Sequence, residues 1–123
     1  IVGGEADGKA LAALARVGEC LANAPLPELA RRLRLSHLHL GHDTGITHLA
    51  AAVGTPCIAL FGPSDPELWA PQGNQVSVVK RGETMEDIPV NLVWQEILSA
   101  NVSQSFRPSQ TNRQGFTDQT GPA

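Results

Sequence analysis

Cysteine, surplus charge and long apolar runs are all scarce in this sequence, and each scarcity closes off a class of function. Only Cys20 and Cys57 are present, without metal-ligand spacing, and they read as two reduced core thiols of a cytosolic protein. Nine basic against twelve acidic residues leave a net charge of −3 with no basic run. That argues against binding of nucleic acid or an anionic membrane by bulk charge. The longest apolar runs fall far short of a membrane span, and no signal peptide is visible. A Walker A sequence, a Gly-x-Ser-x-Gly elbow, the Gly-x-Gly-x-x-Gly fingerprint and a carboxylate pair poised for glycoside hydrolysis are absent as well. There is no internal repeat and no initiating Met, and residues 1–4 read as the end of a strand entering a glycine turn. The expectation is therefore a piece of a longer chain, incomplete at its N-terminus.

What is present is enough for one small domain: 41% of the residues are apolar and 17% charged. Apolar spacing and breakers predict a helix over 7–18 with Leu11, Leu14 and Val17 on one stripe, a very short strand at 20–21, and a helix from Pro27 to Leu33. Leu29 and Leu33 face inward there, and Arg31, Arg32 and Arg34 form a solvated face. Strands are expected at 37–40, 57–61 and 75–80, with Asp65 as a cap to a short helical turn reaching Trp69. Residues 81–88 read as loop, with at most a turn of helix. The last helix is expected at 89–99, with Val90, Val93, Trp94, Ile97 and Leu98 as its apolar stripe. From Asn101 the composition turns polar and aperiodic, so the division is an α/β domain over 1–100 and a disordered tail over 101–123. Strands alternating with helices imply a Rossmann-like parallel sheet with helices on both faces.

The chain is organised around residues 42–56. Asp43 or Thr44 serves as N-cap of a helix whose Ile46, Leu49, Ala50 and Val53 follow the spacing of a buried face. Gly54 suits the left-handed position after the last turn, and Pro56 forbids continuation. Strand, tight turn, helix, strand aims a helix N-terminus at the carboxyl end of a sheet, where α/β folds bind anions. The amides of residues 44–47, the hydroxyls of Thr44 and Thr47, and the missing side chain at Gly45 together suit a diphosphate. The plain alternative is that Asp43 only caps the helix. Gly62, Pro63 and Ser64 follow the next strand at the same sheet edge and should border the same pocket. Four histidines, His37, His39, His42 and His48, invite a metal reading, yet nothing in their spacing enforces convergence, so no metal site is expected.

Residues 43–56 (Asp-Thr-Gly-Ile-Thr-His-Leu-Ala-Ala-Ala-Val-Gly-Thr-Pro) and 60–69 (Leu-Phe-Gly-Pro-Ser-Asp-Pro-Glu-Leu-Trp) resemble glycosyltransferase family 9. This is the family of the ADP-heptose:lipopolysaccharide heptosyltransferases. The resemblance is strongest over 27–71 and extends over 1–100. It implies the C-terminal, donor-binding half of a two-domain GT-B enzyme, present here as a partial domain. Asp43, Thr44, Gly45, Ile46, Thr47 and His48 would then bind the diphosphate and sugar of a nucleotide-sugar, an ADP-sugar by resemblance. For His48 the alternative is a ring hydrogen-bonded beneath the turn. Gly4 with Glu5 or Asp7 would contact the nucleoside, with Asp7 as a helix cap the competing reading.

The resemblance further implies an inverting enzyme of lipopolysaccharide core assembly that needs neither metal nor other cofactor. It would be cytoplasmic, at most peripheral to the inner membrane. The catalytic base belongs to the acceptor-binding N-terminal domain, and a phosphate-binding Lys to a segment before Ile1. No catalytic residue is therefore expected in this stretch, Lys9 and Lys80 do not substitute, and the chain alone should not catalyse transfer. Self-association through exposed apolar surface is expected of it. The rival from another class is a non-catalytic nucleotide- or phosphate-binding or assembly module; a folded remnant without a ligand is the remaining alternative.

Overall fold

The structure, a computed structural model, describes residues 1–105. Five strands and five α-helices alternate: β1 Val2–Gly3, α1 Gly8–Leu14, β2 Leu21–Ala22, α2 Leu26–Leu35, β3 His39–His42, α3 Gly45–Ala52, β4 Cys57–Phe61, α4 Pro66–Trp69, β5 Val76–Lys80 and α5 Val90–Ser105. Single 3₁₀ turns precede α1 at Glu5–Asp7 and α5 at Met85–Asp87. Every strand pair is parallel, and β3 and β4 are direct neighbours, with His39 opposite Cys57 and His42 opposite Leu60. The α/β class expected from the sequence is the class observed.

β4 is the central strand, and its alternation divides the core between two faces. Cys57 packs with Leu29, Leu33 and Ala50 beneath α2 and α3. Ile58 packs with Val79 and Ile88 against Leu92, Val93 and Ile97 of α5. Because both faces are covered, the strand is almost wholly apolar instead of alternating. The turn out of α3 is fixed by its own backbone: Gly54 takes φ +86°, its amide donates to Ala51 and that of Thr55 to Ala50. This is the paired-bond ending that favours glycine at the left-handed position. The buried Thr55 hydroxyl then donates to the Leu33 carbonyl at 2.6 Å, tying this turn to the last turn of α2.

Several boundaries differ from the sequence reading. β3 lies two residues later than expected, taking in Gly41 and His42, because its register is set by pairing with β4 and not by its apolar run. α1 stops at Leu14, and Leu14 and Val17 are exposed; only Leu11 of the expected stripe turns inward. On α5 the stripe splits. Val93 and Ile97 pack inward with Leu92, whereas Val90, Trp94 and Leu98 are exposed on the adjoining face. The same helix passes Ser99 and runs to Ser105, since no Pro or Gly interrupts it, so residues 101–105 of the expected tail are helical. The rest of that tail lies outside the described residues.

The expected single sheet is in two pieces. Among the described residues β1 pairs only with β2, and β3–β4–β5 form the other sheet. Between β1 and β3 lies a cleft of about 580 Å³, with Ile1 and Val2 on one side and residues of β3 on the other. No helix of the described residues is long and apolar enough to cross a membrane.

Candidate donor-binding site

β3 ends at His42, and the chain turns through Asp43 and Thr44 into α3. Thr44 occupies the N-cap position with extended backbone (φ −143°, ψ 164°), which is the geometry a cap needs. Yet among the described residues no side chain caps this helix: neither Asp43 nor Thr44 accepts a bond from the first turn. The expectation that Asp43 or Thr44 would cap by a side-chain oxygen is thus not met. The amides of Thr47 and His48 both donate to the Thr44 carbonyl, so they are already used within the helix. That leaves Gly45 and Ile46 at the open end of the helix, where backbone donors lack intrahelical partners and the dipole is positive. A side chain added at Gly45 would meet no atom of the described residues within 4 Å; among them the space beyond the turn is open.

Thr47 faces the other way. Its residue is only 1% exposed, and its hydroxyl donates to the His42 carbonyl at 2.7 Å. The same oxygen lies 3.1 Å from Nε2 of His39. A Cβ on Gly41 would fall 2.5 Å from that Nε2 and 2.6 Å from the Thr47 oxygen, so only glycine leaves room for the pair. The Thr47 hydroxyl was expected to join the phosphate cradle; instead it is buried beneath the turn, and its amide is bonded to Thr44. The histidine under the turn is His39, not His48, whose side chain is exposed. Burial lowers the pKa of His39 below its ordinary value.

Sequence reasoning weighed His39 only as a metal ligand and gave Gly41 no role. The available signal was the period of two, which puts residues 39 and 41 on one face of a strand, together with a glycine that marks close approach.

The cleft between β1 and β3 joins parts that are far apart in sequence. Asp7 lines it together with His42, Thr44 and Ile46. Of the alternatives Glu5 and Asp7, only Asp7 is on its wall, and the Asp7 carboxylate also accepts from the Gly4 amide at 2.8 Å. Gly62, Pro63 and Ser64 are not on that wall. They follow β4, which pairs on the opposite side of β3 from the cleft, so they stand one strand further along the same sheet edge. There the ammonium of Lys80 donates to the Gly62 carbonyl and, at 3.4 Å, to that of Ser64, holding the loop against β5. Among the described residues no three His, Cys, Asp or Glu side chains are grouped to hold a metal ion.

The basic residues of α2 lie outside this region. Arg31, Arg32 and Arg34 are exposed, and Arg32 pairs with Glu19 at 3.2 Å. The thiols are free, Cys20 half-buried and Cys57 buried, with burial pushing Cys57 up to about 11.

Comparison with known proteins sets this geometry in context. The model of glycosyltransferase family 9 (heptosyltransferase) matches residues 4–89. Lipopolysaccharide heptosyltransferase 3 of Escherichia coli is 38% identical over 60 residues, which are 49% of this chain and 18% of that protein. Lipopolysaccharide heptosyltransferase 1 of Salmonella typhimurium is 33% identical over 80 residues, 64% of this chain and 25% of that one. The solved E. coli heptosyltransferase WaaC with ADP superposes with a TM-score of 0.70 at 29% identity, over 76% of this chain and 30% of its own. The chain spans no more than a quarter of the length of those two curated relatives.

Proposed function

Because the chain belongs to glycosyltransferase family 9, the heptosyltransferases, we propose that it is the nucleotide-sugar-binding part of an enzyme that transfers a sugar in lipopolysaccharide core assembly. The observation that carries this reading is the uncapped N-terminus of α3, open beyond Gly45 and adjoining a cleft that Asp7 also lines. An ADP-sugar donor is the ligand that these parts suit. Its diphosphate sits on the amides of Gly45 and Ile46, with Thr44 and Asp43 beside it. Asp7 faces the nucleoside. His48, exposed on the first turn of α3, is assigned contact with the sugar or the outer phosphate.

In the transfer, an acceptor hydroxyl attacks the anomeric carbon from the face opposite the diphosphate, which inverts configuration. The base that removes the hydroxyl proton is assigned to the acceptor-binding domain found in two-domain enzymes of this type. Negative charge grows on the departing diphosphate. Preorganised amides at a helix N-terminus stabilise such charge without reorganising. The dipole of an exposed helix end adds only about 0.3–1 kcal/mol, so the amides must contact the oxygens directly. Here they, and not a resident metal, are assigned that role.

The test is titration of ADP into this chain with amide chemical shifts as the readout. Gly45, Ile46 and residues near Asp7 should move together, and Gly45→Val should abolish the response while leaving the remaining spectrum intact. Shifts confined to other regions at millimolar ADP would remove the site assignment. A response to inorganic pyrophosphate equal to that to ADP would favour a phosphate-binding module over a nucleotide-sugar site.

A further inference from the structure

We propose that His39 is a positioning residue for the donor turn: it donates from Nε2 to the Thr47 hydroxyl, which passes its own hydrogen to the His42 carbonyl, and this latch sets the direction of the Gly45 and Ile46 amides. The inference rests on the donor-site reading for its consequence, but the latch itself stands on the geometry alone.

A threonine hydroxyl has one hydrogen. At 2.7 Å from the His42 carbonyl, a group that can only accept, the Thr47 hydroxyl must be the donor. Its remaining capacity is to accept, so the His39 nitrogen 3.1 Å away is the one that carries hydrogen. The ring is therefore fixed as the Nε2–H tautomer.

A threonine in a helix ordinarily turns its hydroxyl to the carbonyl four residues back, here that of Asp43. Thr47 reaches one residue further, to the last residue of β3, which lies outside the helix. The bond thus spans the whole turn and joins the first turn of α3 to the end of the strand. His39 holds the hydroxyl in that orientation by occupying its acceptor side. Gly41 completes the arrangement, because any side chain there would strike both atoms of the pair.

Sheet and helix are rigid, and the free amides lie within two residues of Thr47, so a turn of the helix relative to the strand redirects them. A mere space-filling role for His39 is the competing account, and a leucine of similar volume would satisfy it. The Gln side chain can place an amide N–H near the position of Nε2, which makes it the conservative variant.

The experiment has a ligand-free arm and a ligand arm on this same chain. Long-range proton–nitrogen spectra of the His39 ring near pH 7.5 should show a protonated Nε2 and a bare Nδ1; the opposite tautomer overturns the proposal outright. His39→Leu should shift the Gly45 and Ile46 amides even without ligand, and His39→Gln should return them toward wild type. In ADP titrations His39→Leu should raise the dissociation constant about fivefold, the effect of one net hydrogen bond, with His39→Gln within about twofold of wild type. Equal behaviour of Leu and Gln would show that only volume matters and defeat the latch. If wild type fails to bind ADP at the turn, the donor-site reading falls, while the tautomer and the ligand-free shifts still decide the latch.

Discussion

Replacing Thr47 by Val tests how the turn is held. Val keeps the shape but has neither donor nor acceptor. The substitution removes the bond to His42 and leaves Nε2 of His39 without its acceptor. A neutral hydrogen bond contributes about 1 kcal/mol net, and orphaning a fully buried polar group costs a further ~1–3 kcal/mol. Here the penalty falls at the low end, because His39 is half-buried and His42 exposed, so water reaches both. A methyl in place of the hydroxyl returns up to ~0.8 kcal/mol by burial. The net expectation is a loss of about 1–2 kcal/mol, or roughly 5–15 °C in melting temperature for a domain of this size. Urea denaturation followed by circular dichroism measures it. The sharper assay is a double-mutant cycle with His39→Leu. Since the two side chains touch, the double variant should be about 1 kcal/mol more stable than the sum of the single losses predicts. Strict additivity, or a Thr47→Val protein as stable as wild type with unmoved amides at 43–46, would refute the reasoning.

Three further outcomes follow from burial and electrostatics. Burial holds the folded pKa of His39 below its ordinary 6.5, so on acidification the unfolded chain takes up the proton first. Stability should therefore be complete above about pH 6.5, fall as the pH drops from there to the folded pKa, and become less pH-dependent in that window in His39→Gln. Asp87 acts in the same direction at lower pH, although there it is the charged form that the fold favours. Amide and hydroxyl donors, Thr84 first and then Glu83, hold its carboxyl below the usual 3.8, and Asp87→Asn should lessen the loss of stability below that pH. The Cys57 thiol, buried and raised to about 11, should resist iodoacetamide at pH 8 while the half-buried Cys20 is labelled. Equal labelling in the folded chain, read by mass spectrometry, would contradict the burial of β4.

Local chemistry made much of the fold readable. Gly54 and Pro56 can end a helix in few ways, and Asp65-Pro66 can start one in few ways, so both appear where the sequence puts them. The Leu29 and Leu33 pair and the unbroken apolar run of β4 also faced inward as read, because burial on both faces of a strand leaves little choice of residue. The family match had the same source: residues 43–56 form one contiguous turn and helix, so their pattern survives in a linear reading.

What required the tertiary structure was everything set by partners distant in sequence. Strand alternation placed His39 and Gly41 on one face, but not against Thr47; that depends on how α3 lies over β3. The stripe of α5 carried five apolar residues, and which of them would be covered depended on where the sheet lay beneath it, so Val90, Trp94 and Leu98 were left outside. That Asp7 and not Glu5 lines the cleft beside β3 depends on how segments more than thirty residues apart in the chain pack together. Propensity and spacing act over a few residues, whereas the direction of a side chain in a packed site is set by the strand and helix it meets. The sequence alone therefore determined the elements, their order and the turn at their centre. Only packing decided that Thr47 turns inward, that His39 meets it there, and that Gly45 and Ile46 remain at the open end of the helix.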